Sequence, residues 1–141
     1  MPLTKATYAL VNGSPINVLD YGVDSTGATD STAGLQAAIT AAAAANKSVY
    51  VPAGTYKYTT LTIAASITMY GDGESSRLYA TNTTANNITV TTTDPVIFEK
   101  LKFVSFGTQS AGSYIQFNPT SGENRSSIIK DCWFLFSIQL G

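Results

Sequence analysis

From Ser48 onward the chain breaks into short apolar segments, and two of these segments repeat. Phe98-x-x-Leu101-x-Phe103 returns further along as Ile129-x-x-Cys132-x-Phe134, and Ile88-x-Val90 returns as Ile115-x-Phe117. Within each segment apolar and polar residues alternate, the period of a strand with one buried face. Both spacings are close to ~30 residues, inside the roughly 20 to 50 that mark stacked coils. Together the two echoes predict a β-solenoid. The paired residues inside the longer motif, Glu99-Lys100 and Lys130-Asp131, mark a bend between two strands of one coil. Val49/Val51, Leu61/Ile63 and Ile67/Met69 supply further alternating segments, and about three coils fit between Ser48 and Gly141 at this period.

The front of the chain differs. Residues 1–16 form a polar lead-in with turn chemistry at Asn12-Gly13-Ser14-Pro15. Ile16, Val18 and the Leu19/Tyr21 pair read as a short strand, and Asp24 to Asp30, with Gly27, as a turn cluster. A helix is expected from Ser31 to Ala45, because Leu35, Ala38, Ile39, Ala42 and Ala43 make a single apolar stripe. Asp30, or Thr29, is placed to cap it, and Asn46 suits the left-handed residue that ends it. A lone helix of this length is marginal in water, so its stripe must lie on another surface. Asp30, at the start of the helix, and Leu35 and Ile39, in its stripe, are the residues expected to hold it to that surface.

The run Asn17-Val18-Leu19-Asp20-Tyr21-Gly22, the turn Asp24-Ser25-Thr26-Gly27-Ala28-Thr29-Asp30-Ser31-Thr32, the alanine-rich helix and the strand Val49-Tyr50-Val51-Pro52-Ala53-Gly54-Thr55-Tyr56 occur in that order. This series resembles the opening module of the pectate-lyase-like superfamily, in the form carried by bacteriophage tailspike and tail-fibre proteins. The match is close over residues 1 to about 60 and continues afterwards as strand rhythm. The resemblance implies an all-β fold, a right-handed parallel β-helix of few coils with an N-terminal capping α-helix over its open end. A solenoid needs such a cover, since its first coil otherwise exposes core and strand edge. Three segments are expected: a lead-in or adaptor at 1–16, the N-terminal strand and capping helix at 17–47, and the first coils, cut short, at 48–141. An antiparallel sandwich is the alternative for the same strands, but it calls for tight Asn-Gly or Asp-Gly hairpins. After the helix Gly71-Asp72-Gly73 is the one candidate, and the resemblance places it at a corner between strands.

Composition narrows the chemistry. Eight basic and nine acidic side chains leave a net charge of −1, with 12% of residues charged, so nothing directs the chain to nucleic acid or to a membrane surface. There is no histidine, which removes the usual general base and the commonest metal ligand. The single cysteine, Cys132, falls at an inward position of the repeat and reads as a small core residue. No metal site and no cofactor is expected. No apolar run is long enough to span a membrane, and the first residues lack a signal peptide's apolar centre. Twenty threonines suit exposed strand faces.

Candidate acids are few. Asp20, Asp24, Asp30 and Asp94 sit in or before turns, and Asp72 with Glu74 is the best local pair, on a corner that needs no catalytic explanation. Glu99, Lys100, Lys130 and Asp131 are expected to stack as a neutralised corner ladder. No catalytic residue is assigned. Of the aromatics, Tyr50, Tyr56, Tyr58, Tyr70, Tyr79, Tyr114 and Trp133 include some that alternate away from the core. Tyr50, Tyr70 and Trp133 are the candidates for glycan or subunit contact. Leu135-Phe136 and Ile138-Leu140 are expected to dock on a partner, or else the chain is a fragment.

The preferred functional reading is a virion tail component, the N-terminal β-helix portion of a phage tailspike or tail fibre, made in the host cytoplasm without an export signal. Its partners would be copies of itself as a homotrimer, other tail proteins and host surface polysaccharide. Two alternatives stand beside it: the non-catalytic scaffold of a polysaccharide depolymerase, lyase or glycoside hydrolase, and a small stand-alone virion structural protein.

Overall fold

The computed structural model describes residues 13–123 and 126–135. The lead-in through residue 12 and the apolar residues 136–141 lie outside the described residues, and with them the expected docking of Phe136 and Ile138-Leu140. The described chain contains one α-helix, α1 (Thr32–Ala45), and thirteen short strands. In order the strands are β1 (Ile16–Asn17), β2 (Thr26–Asp30), β3 (Val49–Val51), β4 (Gly54–Tyr58), β5 (Leu61–Ile63), β6 (Thr68–Gly71), β7 (Ser76–Ala80), β8 (Ile88–Val90), β9 (Ile97–Glu99), β10 (Lys102–Ser105), β11 (Ile115–Phe117), β12 (Ile128–Lys130) and β13 (Trp133–Leu135).

Every strand pairing is parallel, and the strands sort into three sheets. The first sheet runs β1-β3-β6-β9-β12, the second β2-β4-β7-β10-β13 and the third β5-β8-β11. From β3 on, consecutive strands go to consecutive sheets, and each return to the first sheet starts a new level; between β2 and β3 the helix stands where a third-sheet strand would be. This is a right-handed parallel β-helix, and the sandwich is excluded. The sequence echoes are its register: Phe98 pairs Ile129, Phe103 pairs Phe134 and Ile88 pairs Ile115.

Alternation decides which side chains fill the interior. Val49, Met69 and Phe98 stack inward from the first sheet, Tyr56, Leu78 and Phe103 from the second, and Leu61 and Ile88 from the third; all are 2% exposed or less. Tyr56 and Tyr58 are thus core residues, not outward aromatics. The Tyr56 hydroxyl reaches the Pro52 carbonyl at 2.9 Å, and burial pushes its pKa up to about 12. Cys132 packs half-buried against the core, where burial raises its thiol pKa and keeps the sulfur from becoming a reactive thiolate.

Helix α1 closes the first level. Leu35, Ala38, Ile39 and Ala42 are all buried, with Leu35 fully enclosed. Gly34 permits the close approach, since a Cβ there would come within 2.7 Å of the Tyr21 carbonyl oxygen. The edge of β5 also faces the helix. There the Gln36 side-chain amide donates to the Thr62 carbonyl and accepts the Thr62 N–H, both at 2.9 Å. Thr32 Oγ1 accepts the N–H of Thr59 at 2.9 Å in the same way. Side chains of the helix stand in for the strand that a preceding coil would supply.

Three local expectations change. The strand expected across residues 16–21 ends at Asn17 and continues as a 3-10 turn, Val18–Tyr21, because the Asn17 side chain accepts the Leu19 N–H and curls the backbone. The turn cluster at 24–30 contains strand β2, bulged where Thr26 and Asp30 oppose Thr55 and Lys57. The helix begins one residue late, with Ser31 at the cap position and no cap bond from its own side chain. Its hydroxyl is engaged with the Asp24 backbone N–H at 2.9 Å, and Asp30 Oδ1 takes the Thr32 N–H instead at 3.0 Å. Asn46 ends the helix in the left-handed region (φ 52°, ψ 45°).

Candidate glycan-contact faces

Outward side chains form ladders as regular as the inward ones. On the first sheet Tyr50, Tyr70, Glu99 and Lys130 occupy successive levels, next to the buried Asn17 of β1. The rings of Tyr50 and Tyr70 stack with centroids 5.3 Å apart and planes at 29°. The Tyr50 hydroxyl donates to both carboxylate oxygens of Asp72, at 2.8 and 3.1 Å, and the Ala53 N–H donates to Asp72 Oδ2 at 3.0 Å. Behind this corner the buried Ser76 hydroxyl accepts the Asp72 N–H and donates to the Val51 carbonyl, both at 2.8 Å. Gly73 turns the chain with φ at 88°, a region costly for side-chain-bearing residues. A Cβ on Gly73 would lie 3.8 Å from the Trp133 ring. Tyr50 and Trp133 therefore flank the same corner from two sheets.

Glu74 follows on that corner but serves another partner. Its Oε2 lies 3.0 Å from Lys102 Nζ, with the lysine side chain only 17% exposed. Asp72 and Glu74 thus have separate structural roles. Farther along, Glu99 and Lys130 face each other at 3.8 Å, and Lys100 and Asp131 both take left-handed backbone at the bend, with φ of 54° and 50°. The Lys100 N–H donates to the Lys130 carbonyl at 3.1 Å, so the expected charged ladder is joined through backbone as well as charge.

The outer face of the second sheet gathers residues that strand alternation alone does not single out. Thr55, Arg77, Lys102 and Trp133 share one outward row, and Lys57, Tyr79, Val104 and Leu135 the next. Thr55, Arg77, Tyr79, Lys102, Val104 and Leu135 line a cavity of about 260 Å³ between these rows. A signal is present in the chain, since Lys57, Arg77 and Lys102 fall at outward positions of their strands. Aligning them requires the register across coils of unequal length. Among the described residues no group of three or more His, Cys, Asp or Glu is placed to hold a metal ion, and no helix is long and apolar enough to cross a membrane.

Residues 15–127 match the family model described as "Rhamnogalacturonase A/epimerase, pectate lyase-like". The chain belongs to this pectate-lyase-like family. A solved structure described as "Geobacillus virus E2 - ORF18" is similar over 63% of the chain, at 28% identity and a TM-score of 0.57. The matched region spans 20% of that viral protein's length. No curated protein matches the sequence. A pectate-lyase-like β-helix related to a phage protein supports a phage structural or polysaccharide-related protein.

Proposed function

We propose that this β-helix is a part of a phage tailspike or tail fibre that contributes to attachment of the virion to host surface polysaccharide. The observation that carries the reading is the Asp72 corner. Tyr50 and Trp133 flank one fixed carboxylate, and aromatic faces beside polar hydrogen-bonding groups suit sugar rings. The similarity to a viral protein supports a virion setting. Asp72 is held by Tyr50 and Ala53, and Glu74 by Lys102, contacts that favour binding over cleavage at this corner. In a full spike the partners are further copies of the chain, as a trimer, together with neighbouring tail proteins.

Adsorption of the purified chain to lipopolysaccharide or capsule from host bacteria tests the reading. Tyr50→Ala and Trp133→Ala, each checked for retained fold, are expected to weaken adsorption about tenfold, the scale of one lost aromatic contact. Unchanged adsorption by both variants, or none by the wild-type chain, removes the assignment. Sedimentation equilibrium reports the trimer separately.

A further inference from the structure

We propose that the interior corner between the second and third sheets binds ordered water, held by the side-chain amide of Asn87 and the hydroxyl of Tyr58. Both residues are fully buried, and Asn87 Oδ1, Asn87 Nδ2 and Tyr58 Oη have no hydrogen-bond partner among the described residues. The main chain of Asn87 is satisfied. Its N–H donates to the Ser113 carbonyl at 2.9 Å, and its carbonyl accepts the Leu61 N–H at 2.8 Å. The side chain alone is left over, with two donor hydrogens and an acceptor oxygen. Giving up water without a replacement is costly, so enclosed amides and hydroxyls are as a rule bonded to protein or to ordered water.

The register of the coils brings these groups to one corner. Tyr58 ends β4, and its column in the second sheet continues through Ala80 to Ser105. Asn87 stands just before β8, level with Tyr114 just before β11. Tyr114 joins the two columns. Its hydroxyl hydrogen-bonds Ser105, and it lies near enough to Tyr58 to add to burial in raising the Tyr58 pKa. At the level of Asn87 the second-sheet column supplies only the methyl group of Ala80, which leaves space between the phenol and the amide. The turn also lengthens there: Thr59 and Thr60 make it at the Tyr58 level, residues 81–87 at the next and residues 106–114 at the one after. Tyr58, Asn87, Ser105 and Tyr114 are uncharged, so the cluster suits a small neutral molecule that both donates and accepts. Water meets that description, and a buried water needs roughly two to four polar partners. It acts here as a spacer between stacked turns of unequal length.

The test takes two measurements on the full chain. One is a crystal structure at a resolution that shows ordered water. The other, in isotopically labelled protein, is the nuclear Overhauser contact between water and the side-chain amide protons of Asn87. Density is expected within hydrogen-bonding distance of both Asn87 and Tyr58, ~3 Å. The Asn87 cross-peaks with water are expected to carry the sign of a molecule that tumbles with the protein. Tyr58→Phe keeps the ring and removes one of the water's bonds, and it is expected to weaken density and cross-peaks by about half. Tyr56→Phe, whose lost hydroxyl bonds the Pro52 carbonyl, serves as the control and should leave both unchanged. The crystal structure separates bound water from a signal relayed through exchange of the Tyr58 hydroxyl proton. A dry corner, an Asn87 amide bonded directly to protein, or signals that Tyr58→Phe leaves unchanged overturn the proposal. No sugar enters the test, so its outcome is independent of the attachment reading.

Discussion

The same inward position has two fates at different levels of the β-helix. On the first sheet Val49, Met69 and Phe98 are fully enclosed, yet their successor Ile129 is 44% exposed. On the second sheet Tyr56, Leu78 and Phe103 are enclosed and Phe134 is 37% exposed, although its ring stacks on Phe103 at 5.0 Å. Strands β12 and β13 are each paired on one side among the described residues. The strands β1 and β2 are edges too, but α1 lies over that end, and Gln36 fills the hydrogen bonds of β5. Burial here is a property of the layers above and below, not of the strand. A helix of unrelated geometry can act as a layer if it brings an apolar stripe and one correctly placed amide.

Substitutions that treat equivalent positions alike put this contrast at risk. Phe103→Ala is expected to cost about 3–5 kcal/mol in denaturant unfolding, the usual loss for an enclosed phenylalanine. Phe134→Ala is expected to cost no more than about half as much, because part of that ring already meets solvent. Equal costs would show that level does not matter. Leu35→Ala tests the helix as a layer and is expected to cost about 2–5 kcal/mol. Hydrogen exchange should then quicken in β3 and β5 before β10. Uniform quickening would mean that the coils unfold as one unit and that the layered description is too local.

Gln36→Met keeps the length of the side chain and removes its two hydrogen bonds. The Thr62 N–H and carbonyl, which are exposed, then turn to water, for an expected loss of about 1 kcal/mol. No loss would transfer the sealing role entirely to the apolar stripe. The smallest effect is expected from acid. Bonds from Thr26 and Thr29 hold the Asp24 carboxyl well below the usual aspartate range, so the folded state releases that proton more readily than the unfolded chain. Its stabilisation is therefore complete above the ordinary aspartate pKa of about 3.9 and fades as pH falls below it. Asp24→Asn should flatten the acid limb of a stability-against-pH curve slightly. An unchanged limb would place the acid sensitivity elsewhere.

Much of the fold is legible in the linear chain. The two echoes are the pairings of β8 with β11 and of β9–β10 with β12–β13. The pattern fails where backbone chemistry is local. Asn17 curls the chain into a 3-10 turn, and the Asp24 carboxylate organises Thr26 and Thr29 so that β2 can pair through a bulge. The candidate contacts are half legible. Tyr50, Tyr70 and Trp133 fall on outward rows, but Tyr56 and Tyr58 point inward, since tyrosine serves a core as readily as a surface.

Sequence alone determined the architecture: strand alternation and a coil-length repeat pointed to stacked coils, and the resemblance of the opening module decided against a sandwich of the same strands. Tertiary structure decided what those rows bring together on the outside. The stretch from Val49 to Met69 is much shorter than that from Met69 to Phe98 or from Phe98 to Ile129, yet each pair is adjacent in the sheet. Loops absorb the unequal lengths, so the interior dictates the register and the exterior inherits it. Arg77 stands beside Lys102, and Trp133 beside Gly73, because apolar packing aligned the residues between them.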